Sequence, residues 1–197
     1  MKIYKTELAM PQLIPQDQLS MQYVNKWKAD AEKALRLARN ITLHKLEPEY
    51  QESTLYHWAK SSTSGVWFIS LDGKSVDYLY AYQSIRLDNS GQHKAAEALA
   101  YLFNPSVRGV TKGVFFNHLL PSQKFVVTDF MYTPDGHRWF EAEYVHAFGL
   151  GYKVYAIDMT GKTKLEQITE EQFWALQTQY WGLDAKHQKY RFAIKFP

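Results

Sequence analysis

The stretch from Lys124 to Asp158, KFVVTDFMYTPDGHRWFEAEYVHAFGLGYKVYAID, narrows the possible folds more than any other part of the chain. Phe125, Val126, Val127, Phe130 and Met131 make a β-rich apolar run. Asp129 interrupts that run, where a buried charge is costly unless it is paired. Thr133-Pro134-Asp135-Gly136 then reads as a turn, and Phe140, Tyr144, Ala147 and Phe148 recur at roughly helical spacing. Gly149 and Gly151 stop the helix, and Tyr152 to Ile157 resumes as a strand. A parallel crossover of this kind leaves loop residues at the carboxyl end of its first strand, where open α/β sheets hold ligands.

With 197 residues the chain has material for one good core. Residues 1–54 are expected as an arm and helix packed on a core of residues 55–197. Aromatics at 16% mean that large rings fill the core or line a groove. The net charge of +3 tolerates an acidic carrier or a nucleic acid without demanding either. Lys186, His187, Lys189, Arg191 and Lys195 form the nearest approach to a basic cluster for a nucleic-acid partner. Without cysteine there are no disulfides, thiolate nucleophiles or Cys-based zinc sites. The start, MKIYKTELAMPQLIPQ, lacks the apolar core of a signal peptide and no run is long enough to span a membrane, so a cytoplasmic protein is expected. Delivery by a dedicated secretion machine stays open.

Along the rest of the chain, residues 1–19 with Pro11 and Pro15 read as an irregular lead-in. Ser20 to Asn40 reads as a helix with Val24, Trp27, Ala31, Ala34, Leu35 and Ala38 as its buried stripe. Leu55 to Lys60 fits a short helix or a loop. Asp72-Gly73 fits a type I′ turn joining strands Val66 to Leu71 and Ser75 to Ile85. Ala95, Ala96, Leu99 and Leu102 predict a helix over Gln92 to Phe103, and Val110 to His118 can hold a short strand. Thr169 with Gln172 predicts a capping box opening a helix to about Trp181. Tyr190, Phe192, Ile194 and Phe196 alternate as one face of a last strand. The expected class is α/β (α+β): a mixed central sheet with an N-terminal helix, a β-hairpin and a β-α-β-α-β C-terminal half.

That element order resembles the GNAT-like acyltransferase fold over roughly residues 55–196. The resemblance implies an acyl donor, acyl-CoA or acyl carrier protein, whose arm enters a wedge between two splayed strands, placed here between the Phe125 and Tyr152 strands. The family's usual signature is Gln or Arg, two residues, Gly, one residue, then Gly or Ala, opening the central helix so that backbone N–H groups cradle a pyrophosphate. At the matching place stands Pro134-Asp135-Gly136-His137-Arg138-Trp139-Phe140, which departs from it. Val126-Val127-Thr128-Asp129-Phe130-Met131-Tyr132-Thr133-Pro134 is similar to the strand motif of the toxin-activating lysine acyltransferases, and Tyr56-His57-Trp58 to their His-Trp segment. That likeness implies His57 and Asp129 as catalytic residues, and the expected helix start beside the sheet offers Tyr132, Gly136, His137 and Arg138 as the donor contact. Tyr56-His57-Trp58 through Gly65-Val66-Trp67 also resembles the Mom-type phage enzymes that modify adenine in DNA, which would recruit the basic C-terminal segment to phosphates.

The residues permit plainer roles as well. His57 suits a general base near neutral pH, or an aromatic-flanked ring at a domain edge. Asp129 suits a carboxylate that orients such a base, or a turn cap. His137 and Arg138 suit a phosphate contact, or a solvated first helical turn. Asn117-His118 could reach the same cleft from a loop. Tyr78, Tyr80 and Tyr82 share one strand face, lining a groove or covered by a helix. The seven histidines show no helical zinc spacing, so no metal is expected. Two functions remain open: acyl transfer from a carrier to an amine, or a non-enzymatic phage or mobile-element interaction protein binding a protein or nucleic acid.

Overall fold

A computed structural model describes residues 12–13, 21–38, 40–47, 54–87, 94–128, 131–180, 187 and 189–197. Through them the chain forms β1 (Gln12–Leu13), α1 (Met21–Leu37), β2 (Ile41–Lys45), β3 (Thr54–Ser61), β4 (Ser64–Ile69), β5 (Tyr78–Arg86) and β6 (Lys94–Leu102). A 3₁₀ turn (Pro105–Val107) leads to α2 (Val110–Val114), a π turn (Phe115–Leu119) and α3 (Leu120–Gln123), which run on without a break. There follow β7 (Phe125–Val127), β8 (Met131–Tyr132), α4 (Pro134–Gly149), β9 (Lys153–Asp158), β10 (Lys164–Ile168), α5 (Glu170–Tyr180) and β11 (Tyr190–Lys195). The protein is an α/β (α+β) protein. Its contacts divide it into two compact units, one from residues 20–84 and 96–123, the other from the described residues of 1–19, 85–95 and 124–197. The boundary expected at residues 54 and 55 falls inside the first of these, because β2 pairs with β3 along its whole length.

In the first unit β2, β3, β4 and β5 form an antiparallel meander with β6 beside β5. One sheet face carries Tyr56, Trp58, Val66, Phe68, Leu79 and Ala81. It packs against Trp27 and Ala31 of α1, the helix predicted from its apolar stripe. The opposite face carries the alternate residues and meets the helical run from Val110, where Phe115 stacks on Tyr80 at 6.0 Å between ring centroids.

In the second unit the strand order is β10-β9-β11-β7, and β1 pairs in parallel with β8. The β7, α4, β9 succession reads as predicted from its periodicity, and β7 and β9 run parallel. They are not neighbours, however: β11 lies between them, antiparallel to both, with Lys195 opposite Phe125 on one side and Lys153 on the other. The wedge expected between the Phe125 and Tyr152 strands is therefore filled by a hydrogen-bonded strand. The capping box forms as read, Thr169 Oγ1 accepting from the Gln172 N–H at 3.2 Å and Gln172 Oε1 from the Thr169 N–H at 2.7 Å.

Four other expectations are corrected. Of the helix expected over Gln92 to Phe103, Lys94–Leu102 forms the strand β6, because alanine's helical preference is small beside the backbone partners offered next to β5. Leu55 to Lys60 lies in β3, and Val110 to His118 is helical, burying Val110, Gly113, Val114 and Leu119. The β4–β5 hairpin exists, but Ile69 pairs with Tyr78, so Ser70 to Asp77 forms a longer loop. Within it only Gly73 has positive φ, +69°, and Asp72 instead accepts the N–H groups of Lys74 and Ser75 at 2.8 Å each. A type I′ turn would need positive φ at both central residues.

Phe173 is fully buried and packs on Tyr144, Phe192 and Phe140 at centroid distances of 5.4, 5.3 and 5.8 Å. Phe173→Ala is expected to cost about 3–5 kcal/mol, read as a lowered midpoint in thermal or urea unfolding.

Candidate functional site

The face of the first unit's sheet that meets the helical run carries polar rings as well as apolar ones. Cross-strand register puts Thr42 opposite His57, His57 opposite Trp67 and Trp67 opposite Tyr80, so these side chains share a face with His44 and Tyr82, each two residues along its strand. His57 stacks on Trp67 at 4.1 Å with an interplanar angle of 17°. His118, brought in by the π turn, sits 4.9 Å from Trp67 and 5.2 Å from His44, and His44 lies 5.0 Å from Trp67. Turns of this kind are rare and cluster at functional sites. Four strands and the π turn thus deliver rings to one face.

His57 Nε2 and Tyr82 Oη are 3.0 Å apart, the only hydrogen bond His57 makes among the described residues. When the proton resides on Nε2, that N–H donates to the phenol oxygen and Nδ1 keeps its lone pair. Burial, with added repulsion from His44 and His118, lowers the His57 pKa from 6.5 to about 4. His118 is lowered for the same reasons, burial first and His44 second, while burial raises Tyr82. Near neutral pH the site therefore holds a neutral imidazole against a neutral phenol. Perturbed titrations of this sort concentrate at functional sites. Tyr82 fits because residue 65 is glycine: a Cβ there would lie 2.7 Å from Tyr82 Oη and 2.7 Å from the Trp58 carbonyl oxygen.

Of the residues expected from sequence, His57 and His118 enter this cluster. Asp129 lies outside the described residues. Tyr132 ends β8 in backbone register with Leu13. Gly136, His137 and Arg138 open α4, but this helix start is occupied by its own side chains. Thr133 Oγ1 accepts the Gly136 N–H at 3.2 Å, His137 Nε2 meets Gln177 Oε1 at 3.1 Å, and Arg138 pairs with Asp135. Of the basic C-terminal residues, Lys186 lies outside the described residues and His187 is buried. Arg191 donates to the Thr128 carbonyl at 3.2 Å, and Lys189 and Lys195 are exposed.

A second helix start is built differently. Asn104, Pro105 and Val107 turn the chain from β6 toward Gly109, whose φ of +83° suits glycine and which caps α2 without a side-chain hydrogen bond. Arg108-Gly109-Val110-Thr111-Lys112-Gly113 spans this start, with glycine at its second and last positions and a cation at its first and fifth. Arg108 is exposed, and Thr111 and Lys112 are half-buried. The uncapped first-turn N–H groups and two cations make this the more anion-receptive of the two helix starts. The entry is fixed by Asp77, which accepts the Asn104 side-chain N–H at 2.9 Å while its carbonyl accepts the Phe103 and Asn104 N–H groups. Sequence reading missed these residues, although Pro105, Gly109 and Gly113 marked the place.

Among the described residues no three His, Asp or Glu side chains are grouped to hold a metal ion, and no helix is long and apolar enough to cross a membrane. No family model matches the chain, and no curated protein matches it.

Two outcomes are expected. Between pH 6.5 and about 4 the unfolded chain binds a proton at position 57 that the folded chain refuses, so stability falls as pH drops through this window and this group contributes no change above it. His57→Gln should flatten that slope in thermal unfolding followed from neutral to acid pH. Gly65→Ala should cost about 1–3 kcal/mol, and it should disturb the His57–Tyr82 pair, seen as a changed imidazole NMR signal.

Proposed function

We propose that the protein is an acyltransferase of GNAT-like build that moves an acyl group from a phosphate-bearing carrier, acyl-CoA or acyl carrier protein, to an amine. The observation that carries this reading is the strand, turn and helix from β6 to α2, with Arg108, left-handed Gly109, Thr111, Lys112 and Gly113 at an uncapped helix start. Such a start receives phosphate through backbone N–H groups and its dipole, and Arg108 adds a planar cation suited to phosphate. The donor contact is thereby moved from Gly136, His137 and Arg138 to Arg108–Gly113.

In this reading His57 is the base, held by Tyr82. The amine lone pair attacks the thioester carbonyl carbon, the amine proton passes to Nδ1 of His57, and the C–S bond breaks to release the carrier thiolate. An imidazole with a pKa of about 4 is too weak to deprotonate a resting ammonium ion. It takes its proton as the attacking nitrogen becomes positive and its N–H becomes strongly acidic. The Tyr82 phenol, kept protonated by burial, orients Nε2 and retains its own hydrogen for a substrate oxygen.

Calorimetric titration with coenzyme A tests the donor site: saturable binding is expected, weakened about tenfold or more in Arg108→Ala and unchanged in Arg138→Ala. Thiol release from an acyl-CoA in the presence of a primary amine tests the base: His57→Gln should slow it about 10²–10⁴-fold with coenzyme A binding intact. Absence of coenzyme A binding together with absence of acyl carrier protein binding would overturn the reading.

A further inference from the structure

Trp67 is only 5% exposed, its indole Nε1 is buried, and among the described residues that N–H has no acceptor. An orphaned buried donor costs about 1–3 kcal/mol, which is tolerated most easily where a ligand completes the bond. The surroundings are of one kind. β2 contributes His44, β3 His57, β5 the Tyr82 phenol and the π turn His118, around Trp67 of β4. Each of these groups donates a hydrogen bond as it stands or after taking a proton, and none of the four has an ion pair with a carboxylate among the described residues.

We infer that His44, His118 and the Trp67 indole N–H form a subsite for an oxyanion, a carboxylate or phosphate group borne by the acceptor. A receptor made of donors without a built-in counter-charge suits a ligand that brings the negative charge. The three histidines would also suggest a metal, but their grouping does not supply a ligand set. Oxygens seated among the rings would satisfy Nε1 and favour the imidazolium form of a neighbour. The anion therefore enters with a proton, and binds more tightly as pH falls. Assigning the anion to the acceptor rests on the acyl-transfer reading; the anion site itself does not.

The test is an NMR titration of the full chain, labelled with ¹⁵N, using acetate in one arm and inorganic phosphate in the other, with chloride holding ionic strength constant. Saturable shifts of the Trp67 indole N–H and of the His44 and His118 imidazoles are expected with at least one anion. Affinity should be about tenfold or more tighter near pH 5 than near pH 8. Preference for acetate identifies a carboxylate, and preference for phosphate a phosphoryl group. Trp67→Phe keeps a stacking ring and should weaken binding about fivefold or more. The inference is overturned if the wild-type chain shows no saturable shift with either anion, if affinity does not change with pH, or if a folded Trp67→Phe binds as tightly. Since no thioester is present, failure here leaves the coenzyme A result standing, and the reverse also holds.

Discussion

Asp77 joins the two loops on which the first unit's chemistry depends. It is 9% exposed, and a carboxylate so placed is tolerable only when its oxygens are satisfied. Oδ2 accepts the Leu71 N–H at 2.7 Å, Oδ1 accepts Asn104 Nδ2 at 2.9 Å, and the Asp77 carbonyl accepts the N–H groups of Phe103 and Asn104 at 2.9 and 3.0 Å. Asn104 passes the constraint on, its side-chain oxygen accepting the Ser106 N–H at 3.0 Å and so opening the 3₁₀ turn that leads to Arg108 and Gly109. One buried acid therefore sets both the close of the β4–β5 hairpin and the angle at which the helical run begins. A local loop interaction becomes the positioning device for a candidate anion site.

The same unit uses its two sheet faces for different purposes. One is an apolar contact with α1 through Trp27 and Ala31. The other buries rings that carry nitrogen and oxygen, and the consequence is electrostatic. Burial, with added repulsion from neighbouring histidines, lowers the pKa values of His57 and His118, and both stay neutral near pH 7. A neutral imidazole fixed by a phenol is prepared to accept a proton, whereas a salt-bridged imidazolium would already hold one. Gly65 matters here through the side chain it lacks, since the space above it is taken by Tyr82.

Much of this architecture was legible in the residues. The stripe of α1, the capping box of α5, the alternation of β11 and the β7, α4, β9 succession all followed from periodicity and cap chemistry, because each is settled by local pattern. The errors share a physical cause. Ala95, Ala96, Ala98 and Ala100 favour a helix locally, yet these positions lie in β6 beside β5. Conversely Val110, Val114, Phe115 and Phe116 favour a strand locally, yet they form a helical face against the sheet. With those two elements exchanged, the strand, turn and helix at Pro134 to Arg138 stands out in the sequence and the one at Arg108 to Gly113 does not. The Gly136 N–H, the His137 ring and Arg138 already have partners, whereas the helix start at Gly109 has no side-chain cap. The β11 insertion between β7 and β9 was likewise beyond local pattern, since strand order is decided by pairing partners distant in sequence.

If the proposed carrier is the donor, either Gly109 to Gly113 or Asp135 to Arg138 receives its phosphates. Backbone amide shift mapping by ¹H–¹⁵N correlation spectra on addition of coenzyme A addresses this directly. Saturable shifts centred on Gly109 to Gly113, with Asp135 to Arg138 unmoved, are expected. Shifts centred on Asp135 to Arg138, with Gly109 to Gly113 unmoved, would contradict the proposed donor site.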